Sequence, residues 1–348
     1  MNYAPILINT LCRFELFKKC LESLHKNSLA KKTIVYIALD YPFKNEHWDG
    51  YNKIKQFLKN KFSFKKLNII ERKVNFGPHN NMADAIEQVF QKYDRIILSE
   101  DDNEFSPNFL EYINKGLEKF ENENDVLAIN GYMWPHAKLL HNENNFIKQK
   151  IWFTAWGYGI WKNRWQKLKT IKFKKYAKKN LYFPKAIFLF LKKTKVFLIS
   201  IRVLKNEEGR YDDSTSLFMF NENKFIVQPI ISKVRNNGYD GSGITSSDKF
   251  HKYFCEQVID DNQTFSFIGK DENIEQNEKK LSKTEINHLT NGFLRIRYNL
   301  LKMLVQYIIL KIFGVDFLNK LCPPSPWGPK AFAQMRSDYL KQKDKPNA

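Results

Sequence analysis

The sequence of 348 residues is 43% hydrophobic and 15% aromatic, enough apolar material for one large domain or for a globular domain with an added lobe. This composition excludes a disordered or collagen-like chain. Lys and Arg total 57 against 37 Asp and Glu, a formal charge of +20, which favours anionic partners such as nucleic acid, an anionic membrane surface or phosphorylated small molecules.

The N-terminal part alternates short apolar strands with amphipathic helices. Strands are predicted at 6–9, 33–40, 67–72 and 95–99, and helices at 15–26, 48–60 and 80–93. This order predicts an α/β fold with a mostly parallel sheet and helices on its faces. Ligands of such sheets bind beyond the carboxyl ends of the strands, which directs attention to residues 9–13, 40–42, 75–81 and 100–103.

Ordinary nucleotide-binding motifs do not occur in this sequence. No GxGxxG follows the first predicted strand, and GxxxxGK[ST] is found nowhere. Dinucleotide binding of the Rossmann type and nucleotide binding by a P-loop are therefore disfavoured.

Three consecutive carboxylates, Glu100, Asp101 and Asp102, directly follow the buried run at 95–99. They repel one another, and a divalent cation such as Mg²⁺ or Mn²⁺ would compensate them while binding the phosphates of a substrate. The alternative is an acidic turn that leads into the next helix, for which Ser106 is a suitable N-cap and Pro107 a suitable first residue. Both interpretations can hold together.

The acidic trio followed by Phe105-Ser106-Pro107-Asn108-Phe109 resembles the metal-binding signature of GT-A fold glycosyltransferases, in particular the group around N-acetylglucosaminyltransferase I. In that group the last carboxylate of the trio contacts Mn²⁺, and the other two lie by the ribose and the donor sugar. The resemblance implies that Asp102 binds Mn²⁺ or Mg²⁺, and that Asp101 and Glu100 contact the nucleotide-sugar.

The resemblance extends over about residues 4–253 and assigns further donor-binding residues in the order of the family. Arg13 follows the first strand where the family has an Arg near the uracil and the diphosphate, and Asp40 matches its uracil-reading carboxylate. The stretch 156–161 resembles the aromatic, Gly-rich wall of the donor sugar. The implied donor site also includes Asn9, Asn81, Trp156 and Gly157.

Downstream, Tyr211-Asp212-Asp213 matches an aromatic-Asp-Asp segment whose first Asp is the catalytic base in the resembled group. Asp212 is therefore the expected base, with Asp213 as the alternative. The non-catalytic interpretation is that this segment is an acidic turn at the surface. The glycine-rich stretch 238–243 predicts either a chain of tight turns or a flexible lid that orders over the donor diphosphate, and Arg235 is a nearby charge expected to bind the nucleotide-sugar.

The C-terminal part and a basic insertion complete the predicted organisation. We expect a GT-A domain at 1–255 with a helical basic insertion at about 172–206, a polar loop or linker at 256–284, and a C-terminal helical extension at 285–348. The segments 185–205 and 298–318 are apolar but interrupted by lysines, so each is expected to pack in a core or to lie on an anionic membrane rather than span it.

The location follows from the cysteines and the first residues. Cys12, Cys20, Cys255 and Cys322 lack CxxC spacing, and residues 1–8 lack the pattern of a signal peptide. The expected location is the cytoplasm, at the inner face of the membrane.

The leading hypothesis is a metal-dependent, inverting glycosyltransferase that transfers a hexose or N-acetylhexosamine from a UDP-sugar to a glycan or lipid-linked acceptor. A sugar-phosphate nucleotidyltransferase needs a Gly-rich phosphate loop after the first strand, which residues 9–12 do not supply. A nucleic-acid-binding protein would concentrate its basic residues in a binding module, whereas here they are scattered, so nucleic acid is not an expected partner.

Overall fold

Two sheets carry the fold in the computed structural model, which describes residues 3–135, 145–205, 211–241, 251–269, 277–279, 281 and 293–323. The larger sheet has eight strands in the order β3-β2-β1-β4-β8-β6-β9-β7, and β5 pairs with β10 in a separate ribbon. The strands are β1 (Ile6–Thr10), β2 (Ile34–Leu39), β3 (Lys66–Glu71), β4 (Arg95–Glu100), β5 (Asn103–Phe105), β6 (Val126–Asn130), β7 (Phe146–Gln149), β8 (Tyr158–Trp161), β9 (Phe225–Pro229) and β10 (Val234–Asn236).

Helices connect most of these strands, and a 3₁₀ turn lies at Ala30–Lys32. The helices are α1 (Phe14–His25), α2 (His47–Phe57), α3 (Pro78–Phe90), α4 (Phe109–Lys119), α5 (Lys162–Lys169), α6 (Phe173–Asn180), α7 (Lys185–Lys192), α8 (Thr194–Lys205), α9 (Tyr211–Asn221), α10 (His251–Phe254) and α11 (Phe293–Leu321). The α/β class and every strand and helix predicted up to residue 100 are confirmed, with bounds that differ by a few residues.

The first four strands of the large sheet run parallel, so their carboxyl ends meet at one edge. Asn9 lies opposite Ala38 on one side and Glu100 on the other, and Leu39 lies opposite Glu71. Strand β8 is antiparallel to both β4 and β6, and β6 and β9 are again parallel. The mostly parallel sheet flanked by helices confirms the predicted α/β architecture and is consistent with the GT-A type that the resemblance implies.

Each face of the sheet has its own apolar core because successive strand residues point to opposite faces. Ile6 and Ile8 of β1 pack with α1, α2 and α4, whereas Leu7 packs with α3 and α9. Helix α4 begins after Asn108, not at the predicted cap Ser106. The Ser106 hydroxyl instead donates to Asn108 Oδ1, and its carbonyl accepts from the Phe109 N–H, so residues 106–108 form a turn before the helix.

The basic insertion is helical, as predicted, and forms a third apolar core with the C-terminal helix. Leu189 of α7, Phe197 of α8 and Leu318 of α11 are buried together there. Helix α11 breaks at Gly314, where φ is 82°. None of the helices in the described ranges combines the length and the apolar character that crossing a bilayer requires.

Residues 257–269 of the predicted polar loop or linker, 256–284, contact α4 and the turn before it. Asn108 Nδ2 donates to Asp260 Oδ2 at 3.0 Å, and the rings of Phe265 and Tyr112 lie 4.9 Å apart. Phe265 is buried, so apolar residues within a polar sequence anchor this stretch to the sheet domain. The stretch 257–269 is therefore attached to the sheet domain through Asp260 and Phe265, while its role as a polar loop or linker and the predicted segment boundaries stay predictions.

Candidate active site

A hydrogen-bonded asparagine pair forms one half of the site, where the ends of β1, β2 and β3 meet. Asn81 of α3 donates from Nδ2 to Asn9 Oδ1 at 2.6 Å and to the carbonyl of Ala38 at 3.0 Å. Arg72, just after β3, donates from Nε to Asn81 Oδ1 at 2.7 Å and lies 4.5 Å from the ring of Phe76. Asn81 is fully buried, so these contacts fix its orientation.

Asp40 lies just after β2 in the same half and is held by the segment that precedes α3. Its Oδ1 accepts from the backbone N–H groups of Tyr41 at 2.9 Å and Phe76 at 2.8 Å, and its Oδ2 accepts from Asn75 Nδ2 at 3.2 Å. Burial raises the pKa of Asp40 above its ordinary value, while the backbone donors oppose the rise. A carboxylate oxygen has two lone pairs, so Asp40 can still accept a hydrogen bond from a ligand.

The acidic trio forms the other half of the site and is paired with Arg13. Arg13 makes an ion pair with Asp101 and a second one, at 2.9 Å, with Asp102 Oδ2. The Thr10 hydroxyl donates to Asp101 Oδ2 at 2.8 Å. Burial alone would lower the pKa of Arg13, but the adjacent carboxylates outweigh it and raise the pKa. Arg13 therefore remains a fixed positive charge beside the trio.

The β5–β10 ribbon positions a further partner of Asp102. Because Asn236 lies opposite Asn103, its side chain reaches back and donates from Nδ2 to Asp102 Oδ1 at 3.1 Å. At Gly238, a Cβ atom would lie 2.2 Å from Asp102 Oδ2. The chain thus approaches this carboxylate as closely as only glycine permits.

The negative charges of the trio are only partly compensated by Arg13, so a divalent cation bound to the trio would compensate them further. Burial, with the charges of Asp102 and Asp212 adding to it, raises the pKa of Glu100 well above its ordinary value. Among the described residues, no three His, Cys, Asp or Glu side chains converge as ligands for a metal ion. One or two carboxylates are nevertheless enough for Mg²⁺ or Mn²⁺ when substrate phosphates complete the coordination. The donor set at Asp102 fits a cation of that kind.

Asp212, in the first turn of α9, lies close enough to Glu100 for its charge to raise the pKa of that carboxyl. Burial raises the pKa of Asp212 to about 7, the charge of Asp213 adds to the rise, and a hydrogen bond from the backbone N–H of Ala155 opposes it. Asp213 points to another partner, since its Oδ2 lies 3.8 Å from Arg202 Nη1 of α8. A carboxylate with a pKa near 7 is suited to general acid–base chemistry at neutral pH.

An aromatic cluster lies beside these carboxylates. The Trp156 ring centroid is 6.0 Å from that of Tyr239 and 5.6 Å from that of Phe254, and Tyr239 stacks on Phe254 at 4.1 Å. Burial raises the pKa of Tyr239, and the charges of Asp102, Asp212 and Glu100 raise it further, so Tyr239 adjoins all three carboxylates. Trp156 therefore lies next to the acidic half of the site.

Within the described part of the chain, two predicted donor-site residues, Gly157 and Arg235, contact other parts of the protein rather than the carboxylates of the site. A Cβ atom at Gly157 would lie 2.8 Å from Val234 and 3.1 Å from Phe109, so the missing side chain faces the core. Arg235 pairs with Glu104, donating from Nη2 to Oε1 at 2.6 Å. Neighbours in a strand point to opposite faces, so Arg235 points away from the side on which Asn236 meets Asp102.

Sequence reasoning missed three residues that the structure brings to this edge: Thr10, Arg72 and Asn236. The strand-end rule that selects Asn9 and Asp40 applies equally to Thr10, the last residue of β1, and to Arg72, just after β3. No sequence signal could place Asn236, because its contact with Asp102 spans 134 positions. Of the predicted glycine-rich loop 238–243, residues 242 and 243 lie outside the described part of the chain.

Comparison with known proteins gives matches among solved structures alone. The sequence matches no protein-family profile and no curated protein. TarS of S. aureus, solved as residues 1–349, is 12% identical with a TM-score of 0.38, over 98% of this chain and 92% of that one. Mouse xyloside xylosyltransferase 1 is 15% identical (TM-score 0.25, 38% and 53% covered), and the glycosyltransferase GlyE of Streptococcus pneumoniae TIGR4 is 13% identical (TM-score 0.31, 66% and 46% covered).

Proposed function

We propose that the chain is an inverting, metal-dependent glycosyltransferase that uses a nucleotide-diphosphate sugar, with a UDP-sugar as the donor. One observation carries the proposal: Asp212, with a pKa of about 7, lies close enough to raise the pKa of Glu100, at an acidic strand end whose other carboxylates pair with Arg13. A site of this kind has a base for an acceptor hydroxyl and, beside it, charges suited to a diphosphate and its cation.

The hydrogen-bonded half of the site binds the nucleotide in this proposal. Asp40 accepts the N–H of the uracil ring, and Asn9, held by Asn81, also contacts the nucleotide-sugar. Asp101 contacts the ribose and Glu100 the donor sugar, while Trp156 forms a wall beside the sugar. The support is that Asp40, Asn9 and Asn81 are preoriented by the contacts described above, which lowers the entropy cost of binding.

The metal site of the proposal is Asp102, with Arg13 as the adjacent fixed cation. A Mn²⁺ or Mg²⁺ ion bound there would neutralise charge on the departing diphosphate. Arg13 holds the Asp102 carboxylate in position through Oδ2, and Asn236 holds it through Oδ1. Gly238 packs directly beside Oδ2, where a Cβ atom would lie 2.2 Å from that oxygen, so this position requires glycine.

Asp212 acts as the general base. It removes the proton from the acceptor hydroxyl as the hydroxyl oxygen attacks the anomeric carbon, and the bond from that carbon to the diphosphate breaks. A single displacement of this type inverts the anomeric configuration. The acceptor is a glycan or lipid-linked hydroxyl at the inner face of the cytoplasmic membrane, and the transferred sugar is a hexose or N-acetylhexosamine.

A panel of nucleotide-sugars with Mn²⁺ tests this function by thermal shift and by donor hydrolysis. We expect UDP-sugars to raise the unfolding temperature, because a ligand of the native state stabilises it, and one of them to be hydrolysed. The same panel without metal is the control. Stabilisation by nucleic acid with no response to any nucleotide-sugar would contradict the proposal and favour a nucleic-acid-binding protein.

A further inference from the structure

Large exposed hydrophobic side chains are concentrated on two segments of the chain. The described part of the chain has seventeen exposed large hydrophobic residues, and twelve of them lie at 182–191 or on α11. Phe188 is 56% exposed and Leu191 66%, and on α11 Ile312 is 66% exposed. Exposed apolar residues scattered singly are ordinary, whereas a concentration of this kind marks an interaction surface.

The exposed residues of α11 form a stripe on the side opposite its packed face. Leu301, Val305, Ile308 and Ile312 are spaced by four, three and four residues, which places them on one side of the helix. Met303 is buried on the other side, against the third core. The stripe therefore stays exposed although the opposite side of α11 packs on the protein.

The two segments are adjacent in space, although more than a hundred residues separate them in sequence. Tyr307 of α11 donates from its hydroxyl to the carbonyl of Leu181, in the turn before α7, at 3.3 Å. Lys311 Nζ lies 5.8 Å from the ring of Tyr182 in the same turn. The exposed residues of α7, of its preceding turn and of α11 thus form one region, which we call the α7–α11 face.

The segments that contribute to this face are rich in basic residues and contain almost no acidic ones. Residues 172–205 contain eleven Lys or Arg and no Asp or Glu, and α11 contains five basic residues against Asp316 alone. On α11, Lys302 and Lys311 flank the stripe on its two sides, as their offsets from Leu301 of about 100° and 280° require. Apolar side chains between lysines match the boundary between acyl chains and anionic headgroups.

We propose that the α7–α11 face docks on an anionic lipid bilayer, with its apolar side chains in the interface and its lysines at the headgroups. The inference deepens the proposed function, on which it rests for the nature of the acceptor: a docked enzyme meets a lipid-linked acceptor at the membrane. A second copy of the chain is the other occupant that the apolar stripe could take, and the test distinguishes it.

Flotation with vesicles tests the face directly, and it needs neither donor nor acceptor. We expect the protein to float with phosphatidylglycerol-containing vesicles at low salt, and to leave them at about 1 M salt, where charges are screened within ~3 Å. Vesicles of phosphatidylcholine alone are expected to bind weakly. A protein that stays in the soluble fraction with anionic vesicles overturns the inference.

Variants decide whether both segments belong to one face. Phe188→Ser and Ile312→Ser are each expected to lower vesicle partitioning about tenfold, whereas Val258→Ser, at a position that is 83% exposed elsewhere, leaves it unchanged. Lys192→Glu combined with Lys302→Glu lowers it without removing apolar surface. A loss in only one of the two apolar variants overturns the single face, as does an equal loss in Val258→Ser.

Two further readouts separate this inference from its alternatives. Sedimentation that shows a dimer of the free protein, dissociated by Phe188→Ser and Ile312→Ser, would assign the face to a second copy and overturn lipid docking. Hydrolysis of a UDP-sugar by the vesicle-free protein is expected to be unchanged in all these variants. Hydrolysis without flotation overturns the docking inference alone, and flotation without hydrolysis of any donor contradicts the proposed function alone.

Discussion

The two halves of the site solve different physical problems. Around Asn9, Asp40 and Asn81, most polar groups already have hydrogen-bond partners before any ligand binds. Around Glu100 and Asp212, carboxylates lie close together and their pKa values are raised. In the proposed function, the hydrogen-bonded half binds the nucleotide, whereas the carboxylate-rich half provides the general base and the metal ligand.

Removing the base is expected to have the largest effect. Asp212→Asn should lower turnover by about 10² to 10⁴-fold and leave the affinity for the UDP-sugar largely unchanged, because the base acts on the acceptor and not on the donor. Turnover and donor affinity are measured together. Asp213→Asn is the matched control. If turnover is lost in Asp213→Asn but near normal in Asp212→Asn, the base is Asp213. If turnover is near normal in both variants, the base does not lie on α9.

Asp102→Asn tests the charge that faces the diphosphate. We expect turnover to fall by about 10²-fold at a fixed Mn²⁺ concentration, because the electrostatic stabilisation of a leaving group by a bound metal amounts to several kcal/mol. The measurement is a Mn²⁺ titration of activity. Glu104→Gln, in the adjacent strand β5 and paired with Arg235, is the control. Full activity with unchanged Mn²⁺ dependence in the Asp102 variant would show that the metal assignment is wrong.

The charged half should also determine the pH dependence. A base must be ionised, and Asp212 binds a proton as the pH falls through about 7, so turnover should fall about tenfold per pH unit below that value. Activity profiles at saturating donor measure this. A profile that stays flat between pH 5 and 8 would show that turnover does not depend on the ionisation of Asp212.

The same shift predicts a change in stability with the opposite sign. The folded state holds the Asp212 proton more tightly than the unfolded state, whose ordinary value is 3.8, so the free energy of unfolding falls as the pH rises from about 4 through 7. Asp212→Asn should therefore raise the unfolding temperature at pH 8 and change it little near pH 3.5. Thermal unfolding at both pH values checks the sign.

In the hydrogen-bonded half, Asn81→Ala should act on binding. The change leaves Arg72 Nε and Asn9 Oδ1 without their partner, at a cost of about 1–3 kcal/mol, so we expect KM for the donor to rise about tenfold while kcat changes little. Asn80→Ala, at the exposed neighbouring position, is the control. A loss confined to kcat would contradict the division between recognition and chemistry.

The smallest effect is expected from Gly50→Ala, which acts on Arg13 from a distance. A Cβ atom at Gly50 of α2 would lie 1.8 Å from the carbonyl oxygen of Cys12, so the loop that carries Arg13 must shift. We expect stability to fall by about 1–3 kcal/mol and turnover to fall a few-fold, against no loss in Asn52→Ala on the same helix. Chemical denaturation and initial rates measure the two effects, and unchanged values in both would contradict the close packing.

Local patterning determined much of this molecule. The short apolar runs of β1 to β4 and the period of 3.6 in α1 to α3 are short-range properties, so the sequence alone predicts those elements and their mostly parallel order. Because parallel strands end at one edge, it also predicts that residues near Asn9, Asp40 and Glu100 lie together. The basic helical insertion follows in the same way from a run of lysines between apolar positions.

Tertiary structure decided which partners those residues have. Asn236 meets Asp102, and Tyr307 meets the turn before α7, across more than a hundred residues, and no periodicity encodes such contacts. The orientation of Arg235 toward Glu104 follows from its strand position, which the sequence did not reveal because the ribbon of β5 and β10 is only three residues long. The shifted pKa of Asp212 likewise requires its burial and its neighbours, since desolvation depends on what the folded chain places around a carboxylate.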